Sequence, residues 1–363
     1  MTKILITSTR WGHVAIAKAI KEAMEGTYQV EIGYTEIEPF SRISYHFVYK
    51  FFPKLFKVAF ALSRSKMLEA IFNSLVERNY KSKLESLVIK AKPDIVINIY
   101  FAFDSSLKAL REKYHFRLIN VLADPWTFSK VQISKGAENL TFDKYSLEKL
   151  KSFEPKVKAT SVGWFTEKKY HDVSGKNRST LRNTLKLNPN LFTLCVVSGS
   201  EGTFHIFKII STFLNPRYKI QVVILCGNNA QMFNVVKTLK SLSEKIRGPK
   251  IIGVTYTESM QEYLRAADLV IGKAGPNTIF QSAATLTPFF AISHVSGTED
   301  GNLEIIKRYK IGYVEENPKR ATLKLKQIIE NPKTLNKFQK NLRSLSKYNQ
   351  GSEEKLLTLL RNK

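Results

Sequence analysis

At 363 residues, with 43% hydrophobic and 11% aromatic side chains, the chain is too apolar to be disordered and long enough for two cores. Its 57 Lys and Arg against 31 Asp and Glu leave a net charge of +26, more than solubility needs, which points to nucleic acid, an anionic membrane or a phosphate-bearing substrate as partner. The two cysteines, Cys195 and Cys226, lie in apolar runs without metal-ligand spacing and read as buried reduced thiols, which favours the cytosol.

The first run, KILITS (3–8), reads as a strand and hands over through Ser8-Thr9-Arg10-Trp11-Gly12-His13 to a helical pattern, VAIAKAIKEAM. Its apolar stretch is too short for a signal peptide, and no later window is long enough to span a bilayer. His13 sits at the helix start, where it reads either as a general base active near neutral pH or as a hydrogen-bonding cap. After the strand YQVEIGY, residues 45–66 read YHFVYKFFPKLFKVAFALSRSK. If Pro53 opens a helix, Lys54, Lys57 and Arg64 share one side while Leu55, Phe56 and Phe60 point elsewhere. That pattern fits a segment lying among lipid headgroups, or a core helix with a solvated lysine face. The next helix, KMLEAIFNSLVERNYKSKL, adds Arg78, Lys81 and Lys83 to the basic surface. Strands PDIVINI, RLINVLA and VKATSVG follow; the second ends in Asp124-Pro125-Trp126, with Asp124 either a capping residue or a ligand carboxylate.

Polar sequence at 164–190 interrupts the pattern and marks a boundary. The expected division is a first domain at 1–165, a linker running into the second domain at 166–190, a second domain at 191–333 and two terminal helices at 334–363. Strands FTLCVVS, QVVILC, PKIIGV, LVIG and PFFAI make up the second domain. Each is continuously apolar, as strands buried on both faces are, and helical patterns separate them. The architecture this implies is α/β: two doubly wound, Rossmann-like domains facing across a cleft at the carboxyl ends of their strands.

Three strands of the second domain end in small polar loops: Ser198-Gly199-Ser200-Glu201-Gly202, Cys226-Gly227-Asn228-Asn229 and Gly272-Lys273-Ala274-Gly275-Pro276-Asn277-Thr278. One alone would be ordinary turn chemistry. Parallel strands bring all three to one sheet edge, and together they suit a nucleotide diphosphate held by backbone amides and helix N-termini. The order required for a Walker loop is absent, as is GxGxxG, which disfavours a dinucleotide oxidoreductase. No Asp-x-Asp occurs, so a metal-clamped diphosphate lacks its usual ligands and no metal site is expected.

Taken in order, these loops resemble those of the monogalactosyldiacylglycerol synthase and processive diacylglycerol glucosyltransferase group, relatives of the peptidoglycan N-acetylglucosaminyltransferase. The likeness runs from Ile4 to Val314. It is strongest in KAGPNTIFQSAATLTPFFAI and HVSGTEDGN, beside CGNN and SGSEG, and weaker at Gly12-His13 and at Asp124/Trp126. It implies a GT-B fold and inverting, metal-independent transfer of a hexose from a UDP-sugar to diacylglycerol or a related membrane lipid, with the UDP-sugar as co-substrate and no cofactor. By the same resemblance His13 is the catalytic base, and Gly12, Asp124 and Trp126 meet the acceptor. Gly199, Ser200, Gly202, Gly227, Asn228, Lys273, Ala274, Gly275, Pro276, Asn277 and Thr278 hold the diphosphate. Val254 and Met260 meet the uracil, Gln281 the ribose, and Glu299 and Asn302 the sugar and phosphates. The expected partners are a UDP-hexose, a lipid acceptor and an anionic membrane surface but no nucleic acid, with the protein peripheral on the inner face of a membrane.

Several positions depart from the family pattern. Gln281 replaces a carboxylate, Thr298 replaces an amide, Thr9-Arg10-Trp11 replaces a glycine-rich run, and a histidine is missing between Asp124 and Trp126. The readings left beside the leading one are transfer to a polyprenyl-diphosphate-linked sugar, and sugar-nucleotide binding with impaired catalysis.

Overall fold

The structure is a computed structural model; it describes residues 1–10, 12–36, 58, 66–172, 177–198, 207 and 209–361. Trp11, the aromatic and basic stretch at 45–66 save Val58 and Lys66, and Gly199, Ser200 and Gly202 lie outside the described residues.

Two six-stranded sheets organise the chain, and every strand pairing in them is parallel. The first contains β1 (Lys3–Ser8), β2 (Gln29–Tyr34), β3 (Ile95–Asn98), β4 (Arg117–Val121), β5 (Glu138–Thr141) and β6 (Ala159–Ser161), in the order β2-β1-β3-β4-β5-β6. The second contains β7 (Phe192–Val197), β8 (Ile220–Gly227), β9 (Lys250–Thr255), β10 (Leu269–Lys273), β11 (Phe289–Ser293) and β12 (Gly312–Val314), in the order β12-β11-β10-β7-β8-β9. Helices between strands make each sheet doubly wound, as the unbroken apolar runs require. Strands Ile95–Asn98 and Phe289–Ser293 are buried along their whole length. Two strands escape the sequence pattern: β5 reads as polar ENLT, and β12 is a three-residue edge strand.

The chain divides into two compact units. The first holds Met1–Lys168, Val295–Asn302 and Tyr348–Lys363; the second holds Lys169–His294 and Leu303–Lys347. The terminal helix Ser352–Arg361 therefore belongs to the first unit and does not stand as a separate tail. Arg117 donates to the Leu359 carbonyl at 3.1 Å, and the Trp164 amide to Asn349 Oδ1 at 3.0 Å. In the same unit the helix Lys66–Ala91 buries Tyr80, Leu84 and Val88 against Leu5, Val96 and Phe103, a spacing of three to four residues per turn. Its Arg78, Lys81 and Lys83 are exposed.

The segment read as a linker running into the second domain contributes a helix to the second unit. Helix Arg178–Thr184 buries Arg182, whose guanidinium meets Asp268 at 2.6 Å and also donates to the Ala266 and Pro189 carbonyls, each at 2.9 Å. Asp268 accepts from Thr193 N–H at 2.7 Å as well, so one carboxylate ties this helix to the start of β7. Asp268→Ala should cost about 3 kcal/mol or more, because it leaves an interior guanidinium without its counter-charge. Urea unfolding reads this as a lowered midpoint; an unchanged midpoint would show that the backbone acceptors alone hold Arg182.

Candidate active site

At the carboxyl edge of the first sheet, side chains at matching register positions form a buried polar band. Thr7 faces Asn98, Asn98 faces Asn120, and Asn120 faces Asn139 across four neighbouring strands. Thr7 Oγ1 donates to Asn98 Oδ1 at 3.2 Å, Asn98 Nδ2 to Asn120 Oδ1 at 3.1 Å, and Asn120 Nδ2 to Asn139 Oδ1 at 2.9 Å. Such groups are tolerated inside because each amide finds partners. The band also fixes the loop after β3: Tyr100 N–H donates to Asn98 Oδ1 at 3.3 Å.

The Tyr100 ring meets His13 edge to face with 5.2 Å between centroids, and Thr9 Oγ1 lies 3.2 Å from His13 Nδ1. His13 is the first residue of helix His13–Met24, after a Gly12 N-cap that supplies no side-chain cap. Burial of the imidazole depresses its pKa to about 4, so the ring is neutral at pH 7 and carries a lone pair. The same burial lifts Tyr100 above the ordinary phenol range.

The loop after β4 is built inward. Trp126 is 1% exposed, its Nε1–H donates to Asp143 Oδ1 at 2.9 Å, and its ring packs edge to face on Tyr145. Trp126, expected at the acceptor, is thus buried in the packing of the first unit. Asp124 accepts from Gln132 Nε2 at 2.6 Å.

Glu299 and Asn302, expected beside the donor, fall in the first unit and are buried. Glu299 Oε2 accepts from the Val295 amide at 2.7 Å, so the carboxylate braces its own loop. Gly301 donates to Thr127 Oγ1 at 3.0 Å, and a Cβ there would lie 2.7 Å from Trp126 Cβ and 2.9 Å from its backbone carbon. Close packing on the Trp126 loop accounts for this glycine.

In the second unit the strand ends converge as parallel topology requires. β10 ends at Lys273, where a bulge between Gly272 and Lys273 shifts the register against β11 and re-aims the lysine. Ala274 N–H then donates to the Ser293 carbonyl at 2.8 Å, Gly275 N-caps helix Pro276–Ala284 without a side-chain cap, and Pro276 occupies its first turn. Gly275, Pro276, Asn277 and Thr278 are all partly exposed, so the helix start is open to solvent. Amides at such a terminus favour an anion. Gln281, one turn on, is buried.

At the end of β8, Gly227 adopts φ +57, Asn228 is exposed, and Asn229 caps helix Ala230–Lys245 by accepting from Met232 N–H at 2.7 Å. Val254 and Met260 are partly exposed at and beyond the end of β9. Ser198 closes β7, its hydroxyl donating to the Leu225 carbonyl at 2.8 Å. Among the described residues no group of three or more His, Cys, Asp or Glu side chains is placed to hold a metal ion. Burial raises both thiols, Cys226 to about 11.

Two further histidines have side-chain partners. His294 Nδ1–H donates to Glu316 Oε1 at 2.8 Å, and His171 Nδ1 lies 3.1 Å from Ser346 Oγ. Burial, helped by the nearby charge of Arg265, lowers His171 to about 4. His13 and His171 both titrate below the ordinary 6.5, so the unfolded chain binds more protons between pH 6.5 and 4. Their contribution is complete above pH 6.5 and is lost as pH falls towards 4, at most about 3 kcal/mol each before solvent screening reduces it. Melting temperature should fall across this window, and less steeply in His13→Asn and His171→Asn. A melting temperature that does not change between pH 7 and 4.5 would refute the assignment.

The fold is that of the two-domain GT-B class. Residues 13–140 match the monogalactosyldiacylglycerol (MGDG) synthase family, and residues 193–356 match the glycosyltransferase family 28 C-terminal domain. These two matches stand in tandem along the chain, and with its relatives they make it a hexosyltransferase. Processive diacylglycerol beta-glucosyltransferase of Bacillus licheniformis is 23% identical over 98% of this chain and 93% of that protein. Monogalactosyldiacylglycerol synthase 2, chloroplastic, of Arabidopsis thaliana is 22% identical over 88% of this chain and 71% of that protein. Among solved structures, MnaA of S. aureus with UDP has a TM-score of 0.64 at 12% identity, covering 98% of this chain and 95% of its own. UDP-GlcNAc 2-epimerase from Neisseria meningitidis, bound to UDP-GlcNAc, has a TM-score of 0.63 at 15% identity, covering 99% and 100%.

Proposed function

We propose that the enzyme transfers a hexose from a UDP-sugar to diacylglycerol or a related membrane lipid, with inversion at the anomeric carbon and without a metal. What carries the reading is the tandem of family matches together with the open, uncapped helix start after β10. The second unit seats the UDP diphosphate on the amides at Asn277 and Thr278, with Lys273 beside them. Charge building on the leaving diphosphate meets fixed dipoles that need no reorganisation.

The first unit supplies the base. With Nδ1–H donating to Thr9, the His13 Nε2 lone pair takes the proton from the lipid hydroxyl as its oxygen attacks the anomeric carbon. The bond to the diphosphate breaks and UDP leaves with the bonding pair. The exposed Arg78, Lys81 and Lys83 and the +26 net charge support a peripheral position on an anionic leaflet, each cation adding about 1 kcal/mol near the surface.

The test is a radiolabelled donor screen with UDP-glucose, UDP-galactose and UDP-N-acetylglucosamine on diacylglycerol in mixed micelles, with and without anionic lipid and EDTA. Expected is a labelled glycolipid of inverted configuration, formed faster with anionic lipid and equally with EDTA. Transfer only to a polyprenyl-diphosphate-linked sugar would move the acceptor to that class. UDP binding with no turnover on any lipid would make the chain a sugar-nucleotide-binding protein, and loss of activity with EDTA would overturn the metal-free step.

A further inference from the structure

The amides of the buried band in the first sheet are oriented by backbone groups at both ends. The Tyr100 N–H only donates, so the Asn98 atom facing it is Oδ1, and Nδ2 turns to Asn120. At the other end the Ser134 N–H donates to Asn139 Oδ1 at 2.9 Å, which makes Asn120 Nδ2 the donor in the bond between the two asparagines. Asn120 Nδ2 also donates to the Gln132 carbonyl at 3.0 Å. The hydrogen bonds therefore run one way, from the Thr7 hydroxyl through Asn98 and Asn120 to Asn139. Thr7, Asn98 and Asn139 are fully buried, and bonds in such a chain polarise one another.

Asn98 is where this chain meets the surroundings of His13. Its Oδ1 accepts twice, from Thr7 Oγ1 and from the Tyr100 N–H. Two residues after Thr7 comes Thr9, whose hydroxyl lies on His13 Nδ1; the Tyr100 ring packs on the imidazole and is itself braced by Phe101 and Phe103, each 5.0 Å away between centroids. Thr9 and Tyr100 follow different strands, β1 and β3, and one amide oxygen ties the two strand ends together.

We propose that Asn98 is a positioning residue of the reaction: it holds the strand ends carrying Thr9 and Tyr100 in register, and through them fixes the imidazole of His13. This rests on the reading of His13 as the base. A leucine at 98, of similar size, would leave the Thr7 hydroxyl and the Tyr100 N–H without their acceptor and the Asn120 oxygen without its donor.

The experiment compares Asn98→Leu, Asn98→Asp and Thr7→Val in the full chain with Asn139→Ala, which breaks the band at its far end. Measured are melting temperature, kcat and KM for transfer from a UDP-sugar to diacylglycerol in mixed micelles, and the titration of the His13 imidazole by NMR. Asn98→Leu should lower kcat by about tenfold to a hundredfold, as a small misplacement of a reacting group does, with donor KM little changed. Its His13 pKa should move up from about 4 towards 6.5, because burial is the cause of the depression and a loosened Tyr100 uncovers the ring. Asn98→Asp keeps an acceptor for Thr7 and for the Tyr100 amide and should retain more of kcat than Asn98→Leu. Asn139→Ala should lower the melting temperature and leave the His13 titration near 4. Wild-type kcat and an unmoved titration in Asn98→Leu, with His13→Ala inactive, would overturn the positioning role and leave the base reading intact. Losses that follow melting temperature alike in Asn98→Leu and Asn139→Ala, with the titration unmoved in both, would overturn it in favour of a scaffold. Full transfer by His13→Ala would remove the base reading itself, and the proposal with it. If Asn98→Leu does not fold, Asn98→Asp and Thr7→Val carry the same comparison.

Discussion

His13→Ala should reduce the turnover number by about 10²- to 10⁴-fold while changing the apparent donor KM little. That is the range a positioned general base contributes, and the loops proposed for the donor lie in the second unit. The side chain is placed for the task by its neighbours. Thr9 sits on Nδ1, the Tyr100 edge packs on the ring, and the Asn98 band holds the Tyr100 backbone. Because burial lowers the His13 pKa to about 4, the basic form predominates from pH 5 upwards. The acid limb of kcat/KM, which reports the free enzyme, should therefore fall near pH 4 and not near 6.5. A ring so depressed is an intrinsically weak base. Thr9→Val should lower turnover by a smaller factor by freeing the imidazole to rotate. Full transfer by His13→Ala, with UDP affinity and fold intact, would refute the base assignment.

How much of this was legible depended on whether the information was local. Strands such as QVVILC and FFAIS declare themselves because a strand buried on both faces is apolar throughout. β5 did not, since its ENLT is polar for a reason visible only in three dimensions. Asn139 is fully buried and accepts from the Ser134 amide at 2.9 Å while donating to three carbonyls. The start of helix Pro276–Ala284 was readable because Gly and Pro each have a positional meaning there. Trp126 and Glu299 were read as ligand residues from their motifs, and the motifs do not show that both are buried, Trp126 on Asp143 17 positions on and Glu299 on the Val295 amide of its own loop. The His294–Glu316 pair joins residues 22 positions apart, and no spacing rule marks it. The return of the last helix to the first unit rests on contacts such as Arg117 to Leu359, 242 positions apart, which a reading of neighbouring residues does not reach.

Gly312→Ala should prevent the second unit from folding, a larger effect than the loss of any ion pair. A Cβ at Gly312 would overlap the Phe289 carbonyl oxygen and stand 2.7 Å from its carbon and 2.9 Å from its nitrogen. These are backbone atoms of a strand buried along its whole length, so no side-chain rotation relieves the overlap. The edge strand must leave, or β11 must move; either way the loop that opens helix Pro276–Ala284 is disturbed, because Ser293 at the end of β11 accepts from the Ala274 amide. A cost above about 4 kcal/mol falls in the exceptional class of single substitutions and exceeds what a marginally stable domain tolerates easily. Gly12→Ala is the contrasting case: nothing lies within 4 Å of a Cβ there, and a helix N-cap change from Gly costs about 1 kcal/mol at most. Soluble yield and thermal unfolding should separate the two variants widely. A Gly312→Ala protein that melts within a few degrees of wild type and still binds UDP would show that β12 is not fixed against Phe289, and that the edge of this sheet is free to slide.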